Sequence, residues 1–221
     1  MLAVLRNNLP WYDKQIDLMI LTHPHDDHVT GLIEVIKRYR VKRILATGVI
    51  HNAPNYLAWL GLIKEKNISF TIVDRPQTIN LGEDSWLNII YPRASLLEKT
   101  VDNLNNSSLV IKLNYKQDSF LFTGDIEAEV EEELVELEED LTADIIKIGH
   151  HGSDTSSGER FLERVKPRLA IISVGENDFG HPSLRVLRRL ERLGITIKRT
   201  DQEGTIKIFS NGLGLDNWTA R

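Results

Sequence analysis

The sequence predicts a layered α/β protein. Short apolar, β-rich runs alternate with segments whose apolar residues recur at helical spacing. The clusters of His and Asp follow directly on apolar runs, at the strand ends where α/β folds place their sites. With 221 residues, 41% apolar and 27% charged, the chain has globular composition and length for a large core, read as one domain over 1–221. It has no cysteine, which excludes disulfides, cysteine-zinc sites and a thiol nucleophile.

Taken in order, Ile16–Thr22 is short and apolar, a buried strand. Thr30 is placed to cap a helix running to Tyr39, with Leu32, Val35, Ile36 and Tyr39 on one face. Lys42–Thr47 reads as a strand and Asn55–Lys66 as a helix. Then comes a β-rich middle, Ser69–Asp74, Trp86–Tyr91, Ser108–Tyr115 and Ser119–Thr123, with turns at Gly82 and Lys116–Asp118. Ile126, Val130, Leu134, Leu137 and Leu141 mark one face of a helix. Ala143–Ile148 and Leu169–Val174 are strands, Glu159–Val165 and Ser183–Leu193 helices, and Thr196–Lys198 and Gly204–Phe209 closing strands.

The net charge of −5 hides an asymmetry. Eleven acids and no base fall between Asp125 and Asp144, so the rest carries 27 bases against 21 acids and an acidic partner such as nucleic acid stays open. The acidic run reads as a solvated helix face. The N-terminus lacks the pattern of a signal peptide. Ile44 to Ile63 has no formal charge but is broken by His51–Asn55, so no membrane span is expected.

Three of the seven histidines lie in His23-Pro24-His25-Asp26-Asp27-His28. Alternation after a strand sends His23 and His25 the same way, and imidazoles with carboxylate suit Zn²⁺, Mn²⁺ or Fe²⁺ rather than Ca²⁺. Asp125 ends the apolar Phe120–Thr123 run through Gly124. Gly149-His150-His151-Gly152-Ser153 repeats the design, and either histidine is open as a metal ligand, the other facing substrate. His181-Pro182-Ser183 precedes a helix, with Pro182 in its first turn and His181 at its entrance, where an anion can be met. Arg185, Arg188, Arg189 and Arg192 form a basic stripe, read as a solvated face or, more sharply, a phosphate-backbone track. His51 stands alone and reads as structural or incidental.

These motifs, in this order, resemble the metallo-β-lactamase superfamily. Asn106-Ser107-Ser108-Leu109-Val110, the HHGS run with Thr155-Ser156-Ser157, Ser173–Asn177 and Gly180-His181-Pro182-Ser183 resemble, within it, the metallo-hydrolase domain of ComEC-type competence DNA-uptake proteins. The resemblance implies a four-layer αββα sandwich holding two divalent ions, Zn²⁺ or Mn²⁺. Carried over, His23 and His25 hold one ion; Asp27, His28 and one of His151 and His150 hold the other; Asp125 bridges. Asn106, Ser108 and Ser153 line the substrate, and Asp27, His150 and His181 take part in catalysis, His181 also contacting substrate.

The family's early DVGQGD-like segment and later Asp-Gly-Gly do not occur, so the chain reads as N-terminally truncated, with its first strands absent. Between His28 and Asp125 the only histidine is His51, where the superfamily usually supplies a third ligand to the first ion. The implied function is a metal-dependent phosphodiesterase, a nuclease linked to DNA uptake. The alternatives are a hydrolase of the same fold acting on another small ester, phosphocholine-type or lactone, and a non-catalytic truncated domain. Implied partners are DNA or another phosphodiester, a membrane channel domain, and a chain supplying the missing strands. The expected location is soluble: cytoplasmic for a stand-alone chain, the extracytoplasmic face for one derived from a ComEC-type protein.

Overall fold

The computed structural model describes residues 1–214 and 219–220. It divides into two compact units, the first comprising Met1–Arg75 and Pro92–Leu109, the second Pro76–Tyr91 and Val110–Arg221.

The first unit opens with helix α1 (Leu2–Asn8), strand β1 (Gln15–Ile20), helix α2 (Asp26–Arg38), strand β2 (Arg40–Ala46), helix α3 (Pro54–Glu65) and strand β3 (Ser69–Ile72). The three strands form a parallel sheet in the order β1-β2-β3, and α2 and α3 supply the two crossovers that parallel neighbours need. Val29, Ile33 and Ile36 of α2 and Tyr56, Trp59 and Ile63 of α3 pack with Met19 and Ile44 of the sheet in one buried core. α2 begins at Asp26, earlier than the expected cap at Thr30. Asp26 and Asp27 favour the positive end of the helix, and Thr30 Oγ1 instead donates back to the Asp26 carbonyl at 2.6 Å.

In the second unit, strands β4 (Gln77–Gly82), β5 (Ser85–Tyr91), β6 (Val110–Tyr115) and β7 (Asp118–Phe122) form an antiparallel meander. Helix α4 (Ala128–Val135) leads to β8 (Ile145–Lys147), α5 (Glu159–Val165) to β9 (Leu169–Ile172), and α6 (Leu184–Arg192) to β10 (Thr196–Arg199). A short helix α7 (Thr200–Glu203) and a two-stranded pair, β11 (Ile208–Phe209) with β12 (Thr219–Ala220), close the chain. The seven-stranded sheet runs β10-β9-β8-β7-β6-β5-β4, parallel from β7 to β10. Val130 and Leu134 of α4, Phe161 and Leu162 of α5 and Val186 and Leu190 of α6 pack with Leu121, Ile146 and Ala170 of the strands. Burying each such aliphatic side chain stabilises by about 1.5–3 kcal/mol relative to exposure.

The helix expected from Ile126 to Leu141 is present only as α4, although Ile126, Val130, Leu134 and Leu141 are all buried as its spacing requires. Strand β4 is not among the expected strands, because only Ile79 and Leu81 alternate with polar residues, too short a run to stand out. The last expected strand, Gly204–Phe209, shortens to β11. Among the described residues no helix is long and apolar enough to cross a membrane.

Candidate functional site

In the first unit the donors follow β1. His23 is buried, His25 takes the N-cap position of α2, and Asp27 and His28 lie in its first turn, Asp27 exposed. The His23 Nδ1 atom lies 3.1 Å from Ser108 Oγ and 3.2 Å from Thr22 Oγ1, so two hydroxyls fix its ring. Its Nε2 lies 3.1 Å from His25 Nδ1. His28 Nδ1 is 3.3 Å from Thr22 Oγ1, and its Nε2 is 3.5 Å from Asp27 Oδ2. Ser108 reaches His23 from the far end of the unit because the backbone N–H of Leu109 donates to the Thr22 carbonyl at 3.0 Å. Asn106 lies in a short 3₁₀ turn, Asn105–Ser107, immediately before it. His51, read from sequence as incidental, stands edge-on to His25 with ring centroids 6.3 Å apart.

In the second unit Asp125 follows β7 through Gly124, whose φ of +55° suits glycine, and is 1% exposed. Its Oδ1 accepts from Lys147 Nζ at 2.9 Å. The same ammonium donates to the Gly124 carbonyl at 2.6 Å. Lys147 lies across from Phe122 in the parallel register, and its side chain lines an apolar hollow of about 560 Å³ bounded by Phe120, Phe122, Ile145 and Ile171. The other carboxylate oxygen of Asp125 lies 3.3 Å from His151 Nε2.

The turn after β8 carries three successive left-handed residues, His150 (φ 45°), His151 (φ 54°) and Gly152 (φ 83°). Left-handed backbone at non-glycine residues is a strain that collects at functional sites. Here it separates two neighbouring imidazoles. His151 Nδ1 donates to the Ser173 carbonyl at 2.7 Å, which leaves the Nε2 lone pair of a neutral ring toward Asp125. His150 Nδ1 lies 3.2 Å from Glu127 Oε1, and its ring is 5.5 Å from that of His181. Ser153 is buried, its hydroxyl 3.0 Å from that of Thr155, so it braces this turn. His181 is followed by Pro182 through a cis peptide bond, and Ser183 caps α6 by accepting from the Arg185 N–H at 3.1 Å. Pro182 therefore stands before the cap rather than in the first turn. Burial, together with His150 and His151, pushes the His181 imidazole below its ordinary value. It is thus neutral near pH 7.

Two N or O donors on one ion at about 2.0–2.2 Å lie about 3–3.4 Å apart. The His23–His25 nitrogens at 3.1 Å and the His151–Asp125 pair at 3.3 Å fit that spacing. Each set is hard-to-borderline nitrogen and oxygen, without thiolate, as Zn²⁺ or Mn²⁺ requires. Lys147, Glu127 and the Ser173 carbonyl were missed from sequence. Only Lys147 left a signal, a cation inside the apolar run Ile145–Ile148 that needs a buried partner.

The model of the metallo-beta-lactamase superfamily matches residues 11–176. ComE operon protein 3 of Bacillus subtilis is 34% identical over 203 residues, covering 91% of this chain and 26% of that protein. Competence protein ComA of Neisseria gonorrhoeae is 28% identical over 203 residues, again 91% of this chain and 26% of its own. The chain thus spans about a quarter of the length of these relatives. Among solved structures, CmlA, a diiron beta-hydroxylase from Streptomyces venezuelae, matches with a TM-score of 0.54 at 15% identity over 88% of this chain and 45% of its own, a likeness of fold. On the extent of the match and the identity to the Bacillus relative, the chain belongs to the metallo-β-lactamase superfamily.

Proposed function

We propose that the protein is a metal-dependent phosphodiesterase acting on DNA. Members of this superfamily are in general metal-dependent hydrolases, and relatives named for competence favour a nucleic-acid substrate. The observation that carries the reading is Asp125: almost fully buried at a strand end, one oxygen tied to Lys147, the other 3.3 Å from His151 Nε2.

In this reading His23 and His25 would be donors to one divalent cation and Asp27, His28 and His151 to a second, with Asp125 a donor to both. Such a pair of Zn²⁺ or Mn²⁺ ions, when bound, neutralises the phosphate and acidifies the attacking water. The rest falls to the chain. Lys147 holds the Asp125 carboxylate in one rotamer. Ser108 and Thr22 orient His23, and the Ser173 carbonyl fixes the His151 tautomer. Asp27 orients the attacking water. His181, neutral and next to His150, supplies the hydrogen bond to the departing oxygen, and Glu127 keeps the His150 ring in place. Asn106 borders the substrate; Ser108, fully buried against His23, and Ser153, in the histidine turn, act by positioning rather than by contact.

The test is metal-reconstituted protein on DNA, with and without Asp125→Ala. Metal-dependent cleavage that falls at least about a hundredfold in the variant is expected. Turnover of a small phosphodiester without cleavage of DNA would move the substrate class, and full activity in the variant would remove the assigned centre.

A further inference from the structure

Phe179 is 83% exposed, at the tip of the loop between β9 and α6. An exposed apolar residue is ordinary by itself. The support beneath this one is not. Asn177 sends its Nδ2 hydrogens to the Gly175 and His181 carbonyls, each at 2.8 Å. Its Oδ1 accepts from the N–H groups of Phe179 at 3.1 Å and His181 at 3.0 Å. Both donors and both acceptor sites of the amide are thereby spent on holding the tip. The Phe179 ring lies nearly parallel to the His181 ring, centroids 6.0 Å apart and planes at 24°. His181 in turn touches His150 edge-on. A phenyl face on a braced backbone is therefore kept in water immediately beside the imidazole assigned to the departing oxygen.

The surrounding charges narrow what this face can receive. Glu176 and Asp178, exposed on either side of Asn177, repel phosphate but accept hydrogen bonds from the amino groups of bases. Two arginines of α6 are spent on structure, Arg189 donating to the Ser157 carbonyl and Arg192 pairing with Glu159. Arg185 and Arg188 stay exposed on the helix that starts just past His181, and suit phosphates. An aromatic face for a base, carboxylates for its edge and guanidiniums for the backbone are the parts of a single-strand site.

Resting on the phosphodiesterase reading, we infer that Phe179 is a base-stacking platform that sets specificity: it takes an unpaired base next to the scissile phosphodiester and makes single-stranded nucleic acid the preferred substrate. In a duplex that base is already stacked and paired, so the face has nothing to receive.

The test compares a single-stranded oligonucleotide with its duplex, using metal-loaded wild type, Phe179→Ala and Phe179→Trp. A single strand carrying 2-aminopurine reports stacking on the chelator-treated proteins. Expected are preference for the single strand, a KM for it raised about five- to a hundredfold in Phe179→Ala with the loss falling on KM rather than kcat, and recovery in Phe179→Trp. Quenching of 2-aminopurine should weaken in the alanine variant and return in the tryptophan one. Unaltered KM and quenching in Phe179→Ala, or a preference for duplex, would overturn the inference while leaving the phosphodiesterase reading intact. If no phosphodiester is cleaved but 2-aminopurine is quenched in a Phe179-dependent way, the catalytic reading fails and the platform stands. With neither cleavage nor quenching, both fall.

Discussion

Glu131 of α4 is the one acid of the 127–140 run that is buried, at 2% exposure. Its two oxygens accept from the backbone N–H groups of Ser157 at 2.5 Å and Gly158 at 2.7 Å, and so tie α4 to the loop that follows the histidine turn. Burial pushes its carboxyl up from 4.5 to about 7, against the opposing pull of those N–H groups and of Arg189. Because the folded value lies above the unfolded one, the stability linked to this group is complete below about pH 4.5 and is lost as pH rises through about 7. That gap corresponds to about 3 kcal/mol. Glu131→Gln removes the titration. It also leaves one of the two N–H groups facing an amide NH₂, a cost of about 1–3 kcal/mol that does not depend on pH. The variant should therefore be the less stable protein at pH 4.5 and should draw level with wild type, or pass it, by pH 8.5. Urea unfolding followed by far-ultraviolet circular dichroism across that range, with chelator present, measures the difference. A difference that is constant with pH, or that widens as pH rises, would show that the N–H groups and Arg189 hold the carboxylate ionised and would refute the assignment to burial.

Lys147→Met should lower metal affinity about 10–100-fold, because it removes the ammonium that fixes Asp125; competition with a chromophoric chelator measures this, and unchanged affinity would show that Lys147 does not position the carboxylate. Gly152→Ala should destabilise the fold by about 1–3 kcal/mol or more, since the position has φ +83° and a Cβ would stand 2.7 Å from the Pro182 Cβ. A melting temperature within a degree of wild type would contradict that clash.

The layered architecture was legible because its apolar periodicities are long. The Val130–Leu134 spacing survives as a buried helix face, and Glu159–Val165 is a helix over the very residues expected. The candidate metal donors stand out in the sequence because histidines crowd at the ends of apolar strands. What was not legible is set by contacts distant in sequence. Glu131 is one of nine acids in a run, and only the docking of Ser157 and Gly158 distinguishes it. The separation of His150 from His151 depends on backbone φ, which two identical neighbouring side chains do not encode. Strand β4 is held by pairing with β5 rather than by its own composition.

The left-handed turn at 150–152 has a consequence for anyone dissecting the chemistry. Its two imidazoles ride on a backbone shape that alanine and, above all, β-branched residues resist, whereas asparagine tolerates it. Truncation to alanine there removes a ring and also releases the bend that aims its neighbour, merging two defects in one number. Asparagine replacements preserve the bend, and so separate what each ring contributes from what the chain path contributes.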